Sequence, residues 1–116
     1  MNSHNAINYL ELPVKDIEKT KQFFSQVFGW GFIDYGPEYT CFTDAGITGG
    51  FYLSNQSFDL ARGSVLIVIY SEVLEATLQD VEQHGGIISK AIFSFPGGRR
   101  FHFKDPNGNE FAIWSE

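Results

Sequence analysis

One order of elements is written twice along this chain. Residues 7–14 alternate apolar and polar side chains, Asp16 follows as a helix N-cap, and Ile17, Phe23, Phe24, Val27 and Phe28 recur at helical spacing up to Gly29. Three short segments come next, 30–35, 39–43 and 49–53, separated by Gly36-Pro37 and by Asp44-Ala45-Gly46, the punctuation of hairpins. Residues 64–70 then read as a β-branched strand, and Ser71 reads as the cap of a helix whose Leu74, Leu78 and Val81 share one face until Gly85-Gly86. Residues 86–93, 99–104 and 110–114 complete the second round, with Pro96-Gly97-Gly98 and Asp105-Pro106-Asn107-Gly108 as turns. Laid over one another, Gly29 meets Gly86 at an offset of 57, while Asp44 meets Asp105 and Phe51 meets Ala112 at an offset of 61. Such self-similarity predicts an α+β chain of two βαβββ modules about a pseudo-twofold axis, spanning 6–54 and 64–116 and joined by the polar linker 55–63.

A chain of 116 residues holds one compact domain of this kind. Its 43% hydrophobic content, which includes 12 Phe, offsets the ordering entropy of folding and excludes bulk disorder. With 14 acidic against 8 basic residues the formal charge is -6, and the basic residues form no cluster beyond Arg99-Arg100. The positive stripe that a phosphate backbone or an anionic membrane surface requires is missing, so neither nucleic acid nor membrane is expected as a partner. The longest apolar run, 65–70, is too short to span a bilayer, and residues 1–6 lack the layout of a signal peptide. Cys41, alone, makes neither an internal disulfide nor a Cys-rich zinc site, which suits a reducing compartment and points to the cytoplasm.

Three stretches carry a resemblance. The opening Asn8-Tyr9-Leu10-Glu11-Leu12-Pro13-Val14-Lys15-Asp16, the helix end Phe28-Gly29-Trp30 and the close Phe103-Lys104-Asp105-Pro106-Asn107-Gly108-Asn109-Glu110-Phe111, set in two like modules, resemble the vicinal oxygen chelate superfamily. That superfamily includes lactoylglutathione lyase, bleomycin resistance proteins and extradiol dioxygenases. The resemblance covers almost the whole chain and implies that each module curls its strands into a half-barrel with its helix on the outer face. It also implies a divalent ion held from the first and last strand of each module, positions that fall here on Tyr9, Phe51, Leu66 and Ala112. Such an ion takes imidazole nitrogen or carboxylate oxygen at about 2.0 to 2.2 Å, which three apolar side chains and one neutral phenol do not supply. No metal and no cofactor is expected, and the lyase, epimerase and dioxygenase chemistry that needs the ion loses its basis.

Within the half-barrels that the resemblance implies, period-two alternation sends Leu10, Leu12, Phe101, Phe103, Phe111 and Ile113 toward the helices. Ile7, Tyr9, Glu11, Arg100, His102, Lys104, Glu110, Ala112 and Trp114 then face the cup. The candidate ligand-binding set is Glu11, Arg100 and His102, walled by Tyr9, Tyr39, Cys41, Tyr70 and Trp114. A carboxylate enclosed there needs company, so Glu11 either pairs with Arg100 or receives a cationic or hydroxyl-bearing ligand. His102 reads either as a partly exposed strand histidine without a role or as a hydrogen-bond partner or general acid/base. Cys41, its counterpart at the 61 offset, reads as a small buried hydrophobe or as a further wall.

The leading expectation is metal-independent binding of a small molecule, planar or weakly cationic, by a homodimer whose cups are each completed by strands of both chains. The competing expectation is an isomerase or lyase acting on a small carbonyl compound. It would use Glu11 and His102 as catalytic proton-transfer groups, without metal or with a metal on the unorthodox set Glu11, His102 and Glu110.

Overall fold

The computed structural model describes residues 2–116. Its elements are β1 (Tyr9–Val14), α1 (Ile17–Phe28), β2 (Gly31–Asp34), β3 (Tyr39–Thr43), β4 (Thr48–Leu53), a 3-10 turn (Leu60–Arg62), β5 (Ile67–Tyr70), α2 (Leu74–Gln83), β6 (Ile87–Phe95), β7 (Gly98–Lys104) and β8 (Glu110–Ser115). They form two four-stranded sheets, ordered β1-β4-β3-β2 and β5-β8-β7-β6. In each, the first strand pairs parallel with the last, and antiparallel hairpins link the remaining strands. The strand-helix-three-strand order is thus present twice. The chain divides into two compact units, one ending at Gln56 and the other Ser57–Glu116.

In the first unit, α1 begins where the sequence punctuates it. Asp16 has extended backbone and its side chain accepts from the Lys19 N–H at 2.9 Å, satisfying one of the donors a helix start leaves orphaned. Gly29 ends the helix at φ 75, a left-handed conformation that glycine adopts without a Cβ penalty. The stripe Ile17, Thr20, Phe23 and Phe24 is buried. Phe24 stacks on Trp30 at 4.8 Å and meets Phe51 at 5.4 Å, and Phe51 meets Phe42 at 5.1 Å. The sheet face carrying Phe51 is therefore the face covered by α1, and each ring buried in it contributes roughly 1.5 to 3 kcal/mol.

The second unit departs from the sequence reading at two starts. The N-cap of α2 is Val73, which has no side-chain cap; Ser71 sits two residues earlier, where its hydroxyl accepts from the Val73 N–H at 3.0 Å and bonds Thr77 Oγ1 at 2.7 Å. Ser71 shapes the approach to the helix rather than its first turn. Likewise β5 opens at Ile67 rather than at 64. The Ser64 hydroxyl and N–H both donate to the Asp59 carbonyl, at 2.8 and 3.2 Å, which ties residue 64 into the turn after Leu60–Arg62. Leu74 and Val81 are buried on the inner face of α2, and Leu78 is half-buried. Arg99 of β7 clamps Glu75 of α2 through two nitrogens at 2.6 and 3.1 Å, on the face where Phe101 and Phe103 are also buried.

Residues 57–63 belong to the second unit in hydrogen-bonding terms as well. The Phe58 N–H donates to Asn109 Oδ1 at 3.0 Å, its carbonyl accepts from the Glu110 N–H at 2.9 Å, and the Leu60 N–H donates to Glu110 Oε1 at 3.1 Å. The start of β8 is held from this side as well as from β5 and β7.

Candidate functional site

On the face of the first sheet away from α1, the register sets Glu11, Gly50 and Cys41 in one row. Tyr9 and Tyr39 lie on the same face, two residues from Glu11 and from Cys41 along their strands. The four candidates of this unit meet in a chain of hydrogen bonds: Cys41 Sγ lies 3.2 Å from the Tyr9 hydroxyl, Tyr9 bonds Tyr39, and Tyr39 donates to Glu11 Oε2 at 2.9 Å. Gly50 makes the arrangement possible, because a Cβ there would overlap the Tyr39 phenol. Both phenols are held above their ordinary pKa. For Tyr9 the bond to Cys41 is the first cause; for Tyr39 it is burial, followed by the bonds to Tyr9 and Glu11. Glu11 itself is exposed, so the desolvation that would oblige it to find a countercharge does not arise. Ile7 precedes β1 and is also exposed.

The register corrects one position of the metal-site comparison. Four residues, Asp44 to Ile47, separate β3 from β4, whereas five, Asp105 to Asn109, separate β7 from β8. The offset of 61 that relates Cys41 to His102 therefore becomes 62 beyond the turn, and the counterpart of Ala112 is Gly50: Cys41 pairs with Gly50 as His102 pairs with Ala112. Phe51 lies on the opposite face, against α1. The four positions are thus Tyr9, Gly50, Leu66 and Ala112, a set that offers one neutral phenol oxygen and does not fit a divalent ion. Among the described residues no group of three or more His, Cys, Asp or Glu side chains is placed to hold a metal.

The corresponding face of the second sheet is organised in rows. Tyr70, Trp114, Arg100 and Phe93 are successive partners across the four strands, and Val68, Ala112, His102 and Lys90 form the next row. A shift of register in β6 between Lys90 and Phe93 keeps both on this face and adds Phe95. The Arg100 guanidinium lies 5.2 Å from the centre of the Phe93 ring and 5.6 Å from that of Phe95, while Phe95 and Tyr70 pack on Trp114 at 6.2 and 5.1 Å. Val68, Phe95, Arg100 and Trp114 line a cavity of about 230 Å³. Arg100 Nε is buried without a hydrogen-bond partner, and among the described residues no carboxylate forms an ion pair with Arg100.

His102 is not the partly exposed histidine that strand alternation allows: it is 1% exposed. Its Nδ1 lies 3.0 Å from Glu110 Oε2, and its ring packs on Phe93 at 6.0 Å. Nε2 has no partner among the described residues. Glu110 is fixed in turn by the Leu60 N–H on its other oxygen. The residues that sequence reasoning left out of the binding set are Val68, Phe93, Phe95 and Glu110. The two phenylalanines reach Arg100 through the β6 irregularity, which leaves no mark in apolar periodicity, and Glu110 reaches His102 on a diagonal set by strand register.

The sequence matches the pattern of the Glyoxalase/Bleomycin resistance protein/Dioxygenase superfamily over residues 6–113. No curated protein matches it. Among solved structures, a glyoxalase-related enzyme from Fulvimarina pelagi superposes with a TM-score of 0.80 at 18% identity, over 97% of this chain and 88% of that one. A genomically encoded fosfomycin resistance protein from Listeria monocytogenes gives 0.78 at 20% identity, over 100% and 95%. A glyoxalase/bleomycin resistance protein/dioxygenase family enzyme from Burkholderia phytofirmans gives 0.79 at 18%, over 93% and 96%. Two βαβββ units, each a mixed sheet with its first and last strands parallel, and a family pattern spanning nearly the whole sequence agree: this chain belongs to the Glyoxalase/Bleomycin resistance protein/Dioxygenase superfamily.

Proposed function

We propose that the protein binds a small, planar, anionic molecule without a metal, in the cavity of the second sheet. The observation that carries this reading is Arg100: a guanidinium over two phenyl rings, at the edge of a cavity, with no carboxylate paired to it among the described residues. A planar guanidinium in that state is matched by a carboxylate or similar anion, and Trp114 and Phe95 supply faces for an aromatic or conjugated body. The cavity, about 230 Å³, falls just below the roughly 300 to 1,000 Å³ of drug-sized sites, which suits a single ring with short substituents. The sign of the ligand differs from the weakly cationic one that overall acidity favours, because the charge lining the cavity is Arg100 alone.

Thermal-shift measurements with benzoate, benzamide and benzylamine test the reading, since a ligand that binds only the native state raises its melting temperature by mass action. Benzoate is expected to stabilise and benzylamine is not. Stabilisation by the amine and not by the acid would overturn it.

The same reading takes the chain as a cytoplasmic homodimer. In its support, Ile33, Val65, Val68 and Ile87 are exposed apolar side chains, and Cys41 is a free thiol. No helix among the described residues is long and apolar enough to cross a membrane. Sedimentation at micromolar concentration is expected to give twice the chain mass, and a particle of single chain mass would remove the dimer.

A further inference from the structure

We infer that the ligand carries two negative charges, the second set toward Lys90, so that its class is an aromatic or conjugated dicarboxylate rather than a monoacid. The inference rests on the first anion being held at Arg100, and it follows from a ring that two cations share. Lys90 Nζ lies 4.5 Å from the centre of the Phe93 ring and the Arg100 guanidinium 5.2 Å. The two charges are therefore no more than about 10 Å apart, the limit being the sum of those distances. Among the described residues neither is paired with a carboxylate, whereas Lys21, Arg62, Arg99 and Lys104 each have one within 4 Å. The two acids that bound β8 are engaged elsewhere, Glu110 by His102 and the Leu60 N–H and Glu116 by the Tyr70 hydroxyl. Two like charges over one ring repel each other, and an anion that reaches both relieves that repulsion.

The placement is the work of β6. Residues three apart in a regular strand point to opposite faces, so the sheet would separate Lys90 from Phe93. The register shift between them puts Lys90 opposite His102 and Phe93 opposite Arg100, both on the face of the cavity. Lys90 is exposed, so a ligand meets its ammonium from solvent without entering the interior. The two cations differ in what they can do. Arg100, at the cavity wall, offers a planar fork that fits one carboxylate, and Lys90 offers a compact charge on a flexible stem that can follow a second. The chain as a whole has a formal charge of -6, which opposes the approach of any further negative charge. A dianion is preferred to a monoanion only where local cations outweigh that field, and the Phe93 ring is such a place.

Calorimetric titration of the full chain at pH 7.5 and low ionic strength with benzoate, isophthalate, terephthalate and their monomethyl esters tests this. One dicarboxylate is expected to bind about 5-fold more tightly than benzoate, and its monomethyl ester, which has the same length but one charge, to lose that gain. Added salt is expected to shrink the gain, because an exposed ammonium is screened. Lys90→Met supplies an independent readout: the ratio of dicarboxylate to benzoate affinity is expected to fall toward one. If benzoate binds but neither dicarboxylate improves on it, if the monomethyl ester is as good, if the gain survives salt, or if Lys90→Met keeps the ratio, the second charge is refuted while the anion reading stands. If none of the carboxylates binds, both fall.

Discussion

Replacing Asp105 by Asn is expected to remove a pH dependence worth about 2 kcal/mol from the stability of this protein between pH 4 and pH 7.5. Asp105 is 3% exposed in the turn between β7 and β8. Its Oδ1 accepts from the N–H groups of Asn107 and Asn109, each at 2.9 Å, and its Oδ2 accepts from Asn107 Nδ2 at 3.0 Å. Burial nevertheless outweighs those bonds and raises its pKa from 3.8 to about 6. The folded state therefore holds the proton more tightly than the unfolded chain does. The stabilisation this gives is present in full below the unfolded value of 3.8 and is lost as pH rises through about 6. Other carboxylates titrate in the same window, so the quantity to measure is the difference between wild type and Asp105→Asn in urea unfolding at several pH values. That difference should shrink as pH rises, whereas parallel curves would mean that the buried carboxylate ionises without penalty. Asp105→Ala strips the acceptor from two buried backbone donors as well and is expected to cost about 2 to 4 kcal/mol, the larger loss falling at the acid end, where the wild-type carboxyl holds its proton.

The same turn shows why some of this fold can be read from sequence and some cannot. Asp16 and Gly29 bound α1 because capping is decided by a side chain and a backbone angle within a few residues, and both sit where the sequence puts them. The helix-facing rows, with Phe101, Phe103 and Phe111, follow from alternation alone. What alternation does not fix is the relation between neighbouring strands. The turn of Asp105 to Asn109 is one residue longer than that of Asp44 to Ile47, and this slip moves the first-sheet counterpart of Ala112 from Phe51 to Gly50, from one face to the other. The irregularity in β6 that brings Phe93 and Phe95 to Arg100, and the diagonal that brings Glu110 to His102, are relations of the same long-range kind. Glu11 shows a further limit. The alternation that places it with Tyr9 and Tyr39 says nothing of exposure, and exposure decides whether a carboxylate needs a countercharge.

Arg100→Met is expected to weaken benzoate binding by about 100-fold or more while leaving the fold intact. Methionine is unbranched and apolar, so its side chain can keep packing against the rings of Phe93 and Phe95 that now flank the guanidinium. What it removes is the charge and the buried Nε that lacks a partner. Loss of an unsatisfied buried donor stabilises or is neutral, so the unfolding free energy from urea titration should stay within about 1 kcal/mol of wild type or rise. Arg100→Lys separates charge from shape: it keeps the cation but not the planar two-pronged donor, and an intermediate loss of about 10-fold is expected. Unchanged benzoate affinity in Arg100→Met would place the anion elsewhere. A stability loss above about 3 kcal/mol would instead make Arg100 a structural residue whose contacts with the phenyl rings hold β6 to β7. The two measurements together decide whether the guanidinium is there for the sheet or for a ligand, because only a ligand-binding role predicts a large loss of affinity without a loss of stability.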